Sequence, residues 1–74
     1  MEKNQIHASL IASGTNFRQW ALSNHYEPRT VLAVVDRWAG KSDLPRGRMS
    51  FRILRDLSRT IGKEITPGIT QEAV

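Results

Sequence analysis

Four backbone breakers, Gly14, Pro28, Gly40 and Gly62, most constrain what this chain can fold into. Each falls at the edge of a segment whose apolar residues recur at helical spacing. Glycine just past a helix takes the left-handed conformation cheaply. Proline suits a first helical turn, where its missing N–H costs nothing. The spacing predicts helices over Gln5–Ser13, Phe17–Asn24, Pro28–Ala39 and Phe51–Ile61. Their inward faces are Ile6, Leu10 and Ile11; Phe17, Trp20 and Ala21; Val31, Val34, Val35 and Trp38; and Ile53, Leu54, Leu57 and Ile61. Asn4 is expected to cap the first helix and Ser50 the fourth. Asn16, with Gln19 three residues on, reads as a variant capping box for the second. Glu27, before Pro28, suits the positive end of a helix dipole. Lys41–Arg48 reads as a basic loop anchored by Leu44, and Ile65 and Ile69 as the pins of an extended tail. The expectation is an all-α fold, a compact bundle of four to five short helices in a single domain spanning 1–74. Its ordered core is 4–69, and the ends Met1–Lys3 and Thr70–Val74 are expected to fray.

The chain has 74 residues and no cysteine, so neither a disulfide nor a thiolate metal site supports its small core. That composition fits a reducing cytoplasm. A net charge of +4 favours a polyanionic partner, nucleic acid or an anionic membrane surface. The longest apolar run, Val31–Val35, is far short of the roughly 20 residues that span a bilayer. No apolar signal-peptide core follows Met1–Gln5. The expectation is a cytoplasmic protein without a membrane partner. Enzyme readings are weak. Gly40-Lys41-Ser42 copies the end of a phosphate-binding loop, but Val35 stands where that loop needs a glycine. His7 and His25 have no ligand-type spacing, and no nucleophile has a base in an obvious partner position. No catalytic residue, metal or cofactor is therefore expected.

The second and third helices, short and then longer across a tight turn, have helix-turn-helix geometry. That arrangement needs a small residue where the helices cross, and Ala21 supplies it. Four places on, the turn needs a residue tolerant of positive φ. His25 stands there, a type enriched at positive φ although glycine is commoner. Tyr26 follows as the apolar residue after the turn, and Val31 and Val34 occupy the positions that lock down the second helix.

The stretch Asn16–Arg37 (NFRQWALSNHYEPRTVLAVVDR), preceded by the Ile6–Ser13 helix, resembles the phage helix-turn-helix regulators. It is most similar to the small Ner-type repressors of Mu-like phages, within the lambda-repressor-like superfamily. The resemblance runs on through the fourth helix to the Ile65–Ile69 tail, and His25 departs from the family's usual glycine. It implies a phage or prophage transcriptional regulator, a repressor acting by operator occupancy in a bacterial host cell. In that fold the third helix enters the major groove of double-stranded DNA. Carried over by position, Pro28, Arg29, Thr30, Leu32 and Ala33 face the bases, with Arg29 suited to a bidentate contact with guanine. Asn16, Arg18 and Gln19 meet a phosphate at the start of the second helix, and Arg37, Lys41, Arg46 and Arg48 extend the phosphate-contacting set. Arg52, Arg55 and Arg59 form a further basic stripe, ordinarily a solvated face. Regulators of this kind meet paired half-sites as dimers, and with no sustained apolar seam a weak homodimer or pairing on DNA is expected. The alternative is a small protein-binding module, an inhibitor of a host factor on the same scaffold. RNA binding is a weaker third reading, since no exposed aromatics stand ready to stack on bases.

Overall fold

Helix α1 (Lys3–Ala12) starts earlier than its apolar spacing predicts. Asn4 lies inside it rather than capping it, and Gln5 reaches back instead: its Oε1 accepts from the Glu2 backbone N–H at 2.8 Å. Ile6 and Leu10 are fully buried, whereas Ile11, expected inward, is 56% exposed. One position past Leu10 is a turn of about 100° around the helix, which carries Ile11 off the core. The computed structural model describes residues 1–41 and 43–69. Ser42 and the predicted frayed end Thr70–Val74 lie outside the described residues.

Helix α2 (Phe17–Ser23) opens as the sequence predicts, with Asn16 Oδ1 accepting from the Gln19 backbone N–H at 2.8 Å. Phe17, Trp20 and Ala21 are all buried. Helix α3 (Pro28–Trp38) has Pro28 in its first turn and Glu27 at the capping position. Val31, Val34 and Val35 form its buried side, while Trp38 is only half-buried at the edge of the core. Beyond α3, Gly40 has φ +77°, and an added Cβ would stand 2.7 Å from Glu2 Oε1. The carboxylate end of exposed Glu2 can swing aside, so it is the left-handed backbone that favours glycine at this position. The Gly40 N–H donates to the Met1 carbonyl at 2.8 Å, and the Met1 amino group donates to the Ile65 carbonyl at 2.7 Å. The Met1–Lys3 segment, expected to fray, instead bridges the end of α3 and the tail.

Helix α4 (Arg48–Ile61) also starts early. Gly47 is its cap, and the Phe51 N–H donates to the Gly47 carbonyl at 3.0 Å, so Ser50 lies in the first turn and caps nothing. Arg48 and Met49 are good helix formers, and nothing in them opposes the extra turn. The preceding loop is anchored by buried Pro45, whereas the predicted anchor Leu44 is 41% exposed. Ile53, Leu54 and Leu57 are fully buried, with Ile61 half-buried beside them. The tail then folds back, burying Ile65, Thr66 and Ile69. Ser58 fastens it, its Oγ donating to the Leu54 carbonyl at 2.7 Å and accepting from the Ile65 N–H at 3.1 Å.

The result is an all-α bundle of four helices, with no strand among the described residues. Helix α2 packs on α3, and α3 and α1 pack on α4, so all four helices and the tail share one hydrophobic core. Helix α4 runs back along α3. Tyr26, just before α3, reaches Asp56, while Trp38 at the far end of α3 shares a cleft with Ser50. Among the described residues, no helix is long and apolar enough to cross a membrane.

Candidate nucleic-acid interface

The geometry of the candidate site begins in the turn between α2 and α3. His25 has φ +63°, the one described non-glycine residue with positive φ. Its N–H donates to the Leu22 carbonyl at 3.2 Å, and the next N–H, of Tyr26, donates to the Ala21 carbonyl at 2.8 Å. This pair of bonds is the Schellman arrangement, which satisfies carbonyls left open at a helix end and turns the chain sharply. The apolar contact that accompanies such a cap is present: the Trp20 and Tyr26 rings stack, with centroids 5.7 Å apart and planes 26° from parallel. Ala21 has no exposed surface at all, as its place at the helix crossing predicts.

Two polar contacts fasten this two-helix unit to α4. Trp20 Nε1–H donates to Thr60 Oγ1 at 2.8 Å, and the Tyr26 hydroxyl donates to Asp56 Oδ2 at 2.7 Å. Burial, followed by the bond to Asp56 and its negative charge, pushes the Tyr26 hydroxyl up to about 12. The positive charges of Arg52 and Arg55 act in the opposite sense. Arg55 also lies 3.4 Å from Asp56, which is therefore engaged on both oxygens.

With Val31, Val34 and Val35 inward, 3.6 residues per turn brings Arg29, Ala33, Asp36 and Arg37 to the outside of α3. All four are exposed. The other positions in the expected base-facing set differ. Pro28 and Thr30 are half-buried at the rim, and half-buried Leu32 packs against the core, which leaves less of it to meet a base. The exposed face is thus centred on Arg29 and Ala33. Asp36 sits on the same face and is held by Lys3, with Nζ 2.7 Å from Oδ1. Sequence spacing gives no sign of this pair, because its members are 33 positions apart and belong to different helices.

Of the expected phosphate-facing residues, Arg18 and Gln19 are exposed on α2, while Asn16 already uses its side-chain oxygen on the Gln19 N–H. Arg37 stacks over Trp38, its guanidinium carbon 5.7 Å from the ring centroid. Lys41, Arg46 and Arg48 are exposed beyond the end of α3. An open cleft of about 610 Å³ separates Arg37 and Trp38 from Arg46 and Ser50. The histidines have local packing positions: His7 stacks on Phe17 at 5.6 Å, and His25 forms the turn. Among the described residues, no group of three or more His, Asp or Glu side chains could hold a metal ion. No protein-family model matches the chain, and neither does any curated protein or solved structure.

Proposed function

We propose that this chain is a sequence-specific DNA-binding transcriptional regulator, a repressor acting by operator occupancy, of the kind its resemblance to Ner-type phage repressors implies. In this reading it works in the cytoplasm of a bacterial host. Helix α3 enters the major groove, with Arg29 donating two guanidinium N–H groups to O6 and N7 of a guanine and Ala33 beside it offering a methyl-sized contact. Arg18, Gln19, Arg37, Lys41, Arg46 and Arg48 meet phosphates and fix register without reading sequence. Two copies pair weakly or only on DNA, each on its own half-site.

The observation that carries the reading is the capped turn. His25 at positive φ, with the Tyr26–Ala21 and His25–Leu22 backbone bonds, joins a short helix to a longer one whose exposed face bears Arg29. The test is a gel shift with the duplex immediately upstream of the protein's own gene, against a random duplex of equal length. A clear preference for the upstream duplex is expected. Equal affinity for both contradicts sequence reading, and failure to bind either favours a protein-binding module.

A further inference from the structure

The basic stripe on α4 changes character once the helix is seen to start at Arg48. Arg48, Arg52 and Arg55 now stand at i, i+4 and i+7 on one side of a continuous helix, spread over about 10 Å of its length. Together with Arg46 they wall a cleft of about 400 Å³ whose apolar surface comes from Pro45 and Phe51. Arg46, Arg48 and Arg52 have no ion-pair or hydrogen-bond partner among the described residues. Asp56, four residues after Arg52, is occupied by Tyr26 and Arg55. Asp43, three residues before Arg46, lines the neighbouring cleft with it and makes no ion pair among the described residues. Four guanidinium groups therefore line one cleft and only Arg55 among them is paired, which leaves three exposed cations available to hydrogen-bond an anion.

We propose that this cleft is a sequence-independent sugar-phosphate site, in which Arg52 and Arg55 carry the phosphate contacts of Arg46 and Arg48 on to a further DNA backbone segment. The proposal rests on the DNA-binding reading and enlarges its footprint. A sugar-phosphate strand offers what the cleft is lined to receive: phosphate oxygens for the arginines and an apolar sugar face for half-buried Phe51. The arginines follow a helix line, which suits an extended polyanion better than a single compact anion. Two sources offer this chemistry, the flank of the duplex bound by α3 and a second duplex.

The test compares wild type, Arg52→Gln/Arg55→Gln and a control, Arg59→Gln/Lys63→Gln, which removes the same charge nearer the end of α4. Each binds random-sequence duplexes of one helical turn, about 10 base pairs, and three turns, about 30. Circular dichroism checks that the variants are folded, and Arg52→Gln alone serves if the double variant is not. The cleft variant is expected to bind the long duplex roughly tenfold more weakly at moderate salt, with a log–log salt slope shallower by about 2. The control changes both far less. A loss confined to the long duplex assigns the site to the flank. A loss on both lengths, with wild type alone bridging two differently labelled duplexes, assigns it to a second duplex. A cleft variant no weaker than the control overturns the proposal. So does a variant that keeps DNA affinity but loses a fluorescent Glu-rich peptide bearing one Phe, which marks an acidic protein segment as the occupant. Failure of wild type to bind any duplex fails the underlying reading, separately from the cleft.

Discussion

His25 holds the left-handed conformation that ends α2, where a Cβ crowds the following carbonyl. Removing that Cβ relieves strain, while branching it adds more. His25→Gly is expected to raise the melting temperature modestly and His25→Val to lower stability by about 1–2 kcal/mol. Thermal denaturation followed by circular dichroism checks the order, and a His25→Val protein as stable as wild type contradicts it. A second contrast lies under the tail. Ser58 Oγ is bonded on both sides, whereas the hydroxyl of fully buried Thr66 has no partner among the described residues. Ser58→Ala strands the buried Ile65 N–H and is expected to cost about 1–3 kcal/mol, while Thr66→Val is expected to be neutral or stabilising. Chemical denaturation separates the two, and a larger loss at Thr66 than at Ser58 contradicts this assignment. Residue-scale features of this kind are legible in the sequence when they depend on near neighbours. The Asn16 cap and the His25 backbone belong to that group. The Ser58 bond to Ile65 does not, because it requires knowing where the tail returns.

At the scale of elements, the apolar stripes predict which faces are buried better than they predict where helices begin. Val31, Val34 and Val35 face inward as spacing requires, but α1 and α4 both extend past the polar residues assigned as their caps. Asn4 and Ser50 favour caps by propensity, yet either is tolerated inside a helix, and the helices start instead after Glu2 and Gly47. Contacts between elements are less legible still. Trp20–Thr60 and Tyr26–Asp56 join residues 40 and 30 positions apart, and no local pattern announces either. The second has a measurable signature. The Tyr26 hydroxyl titrates at about 12 in the folded protein against 10.0 unperturbed. A raised folded value means its stabilisation is complete below pH 10 and is lost as pH rises through about 12. Wild-type stability is therefore expected to fall across that window, and Tyr26→Phe to remove this part of the fall while costing about 1–2 kcal/mol at neutral pH. Denaturant titrations from pH 7 upward check it, and an unchanged alkaline limb in Tyr26→Phe contradicts the assignment.

For the whole molecule, a net charge of +4 understates how unevenly charge is placed. Asp56 turns to Tyr26 and Arg55, and Asp36 pairs with Lys3, while Arg46, Arg48 and Arg52 have no ion-pair partner among the described residues. On the proposed reading, Asp36 limits indiscriminate binding, because it puts a negative charge on the face that approaches DNA. Asp36→Asn is expected to tighten binding to random duplex severalfold, measured by fluorescence anisotropy, and unchanged affinity places Asp36 away from the DNA. The basic residues of this surface are visible in the sequence as residue types. Their grouping into an α3 face and an α4 cleft is not, because it depends on the early start of α4 and on the placement of Pro45 and Arg46 just before it. The central claim is that the exposed face of α3 reads base sequence through Arg29. The most direct measurement compares wild type and Arg29→Ala on a preferred duplex, selected from a randomised pool, and on a random duplex at the same salt concentration. The account predicts a loss of about 1–3 kcal/mol on the preferred duplex, relaxed preference at one base pair and a much smaller loss on random DNA. Equal losses on the two duplexes would contradict it.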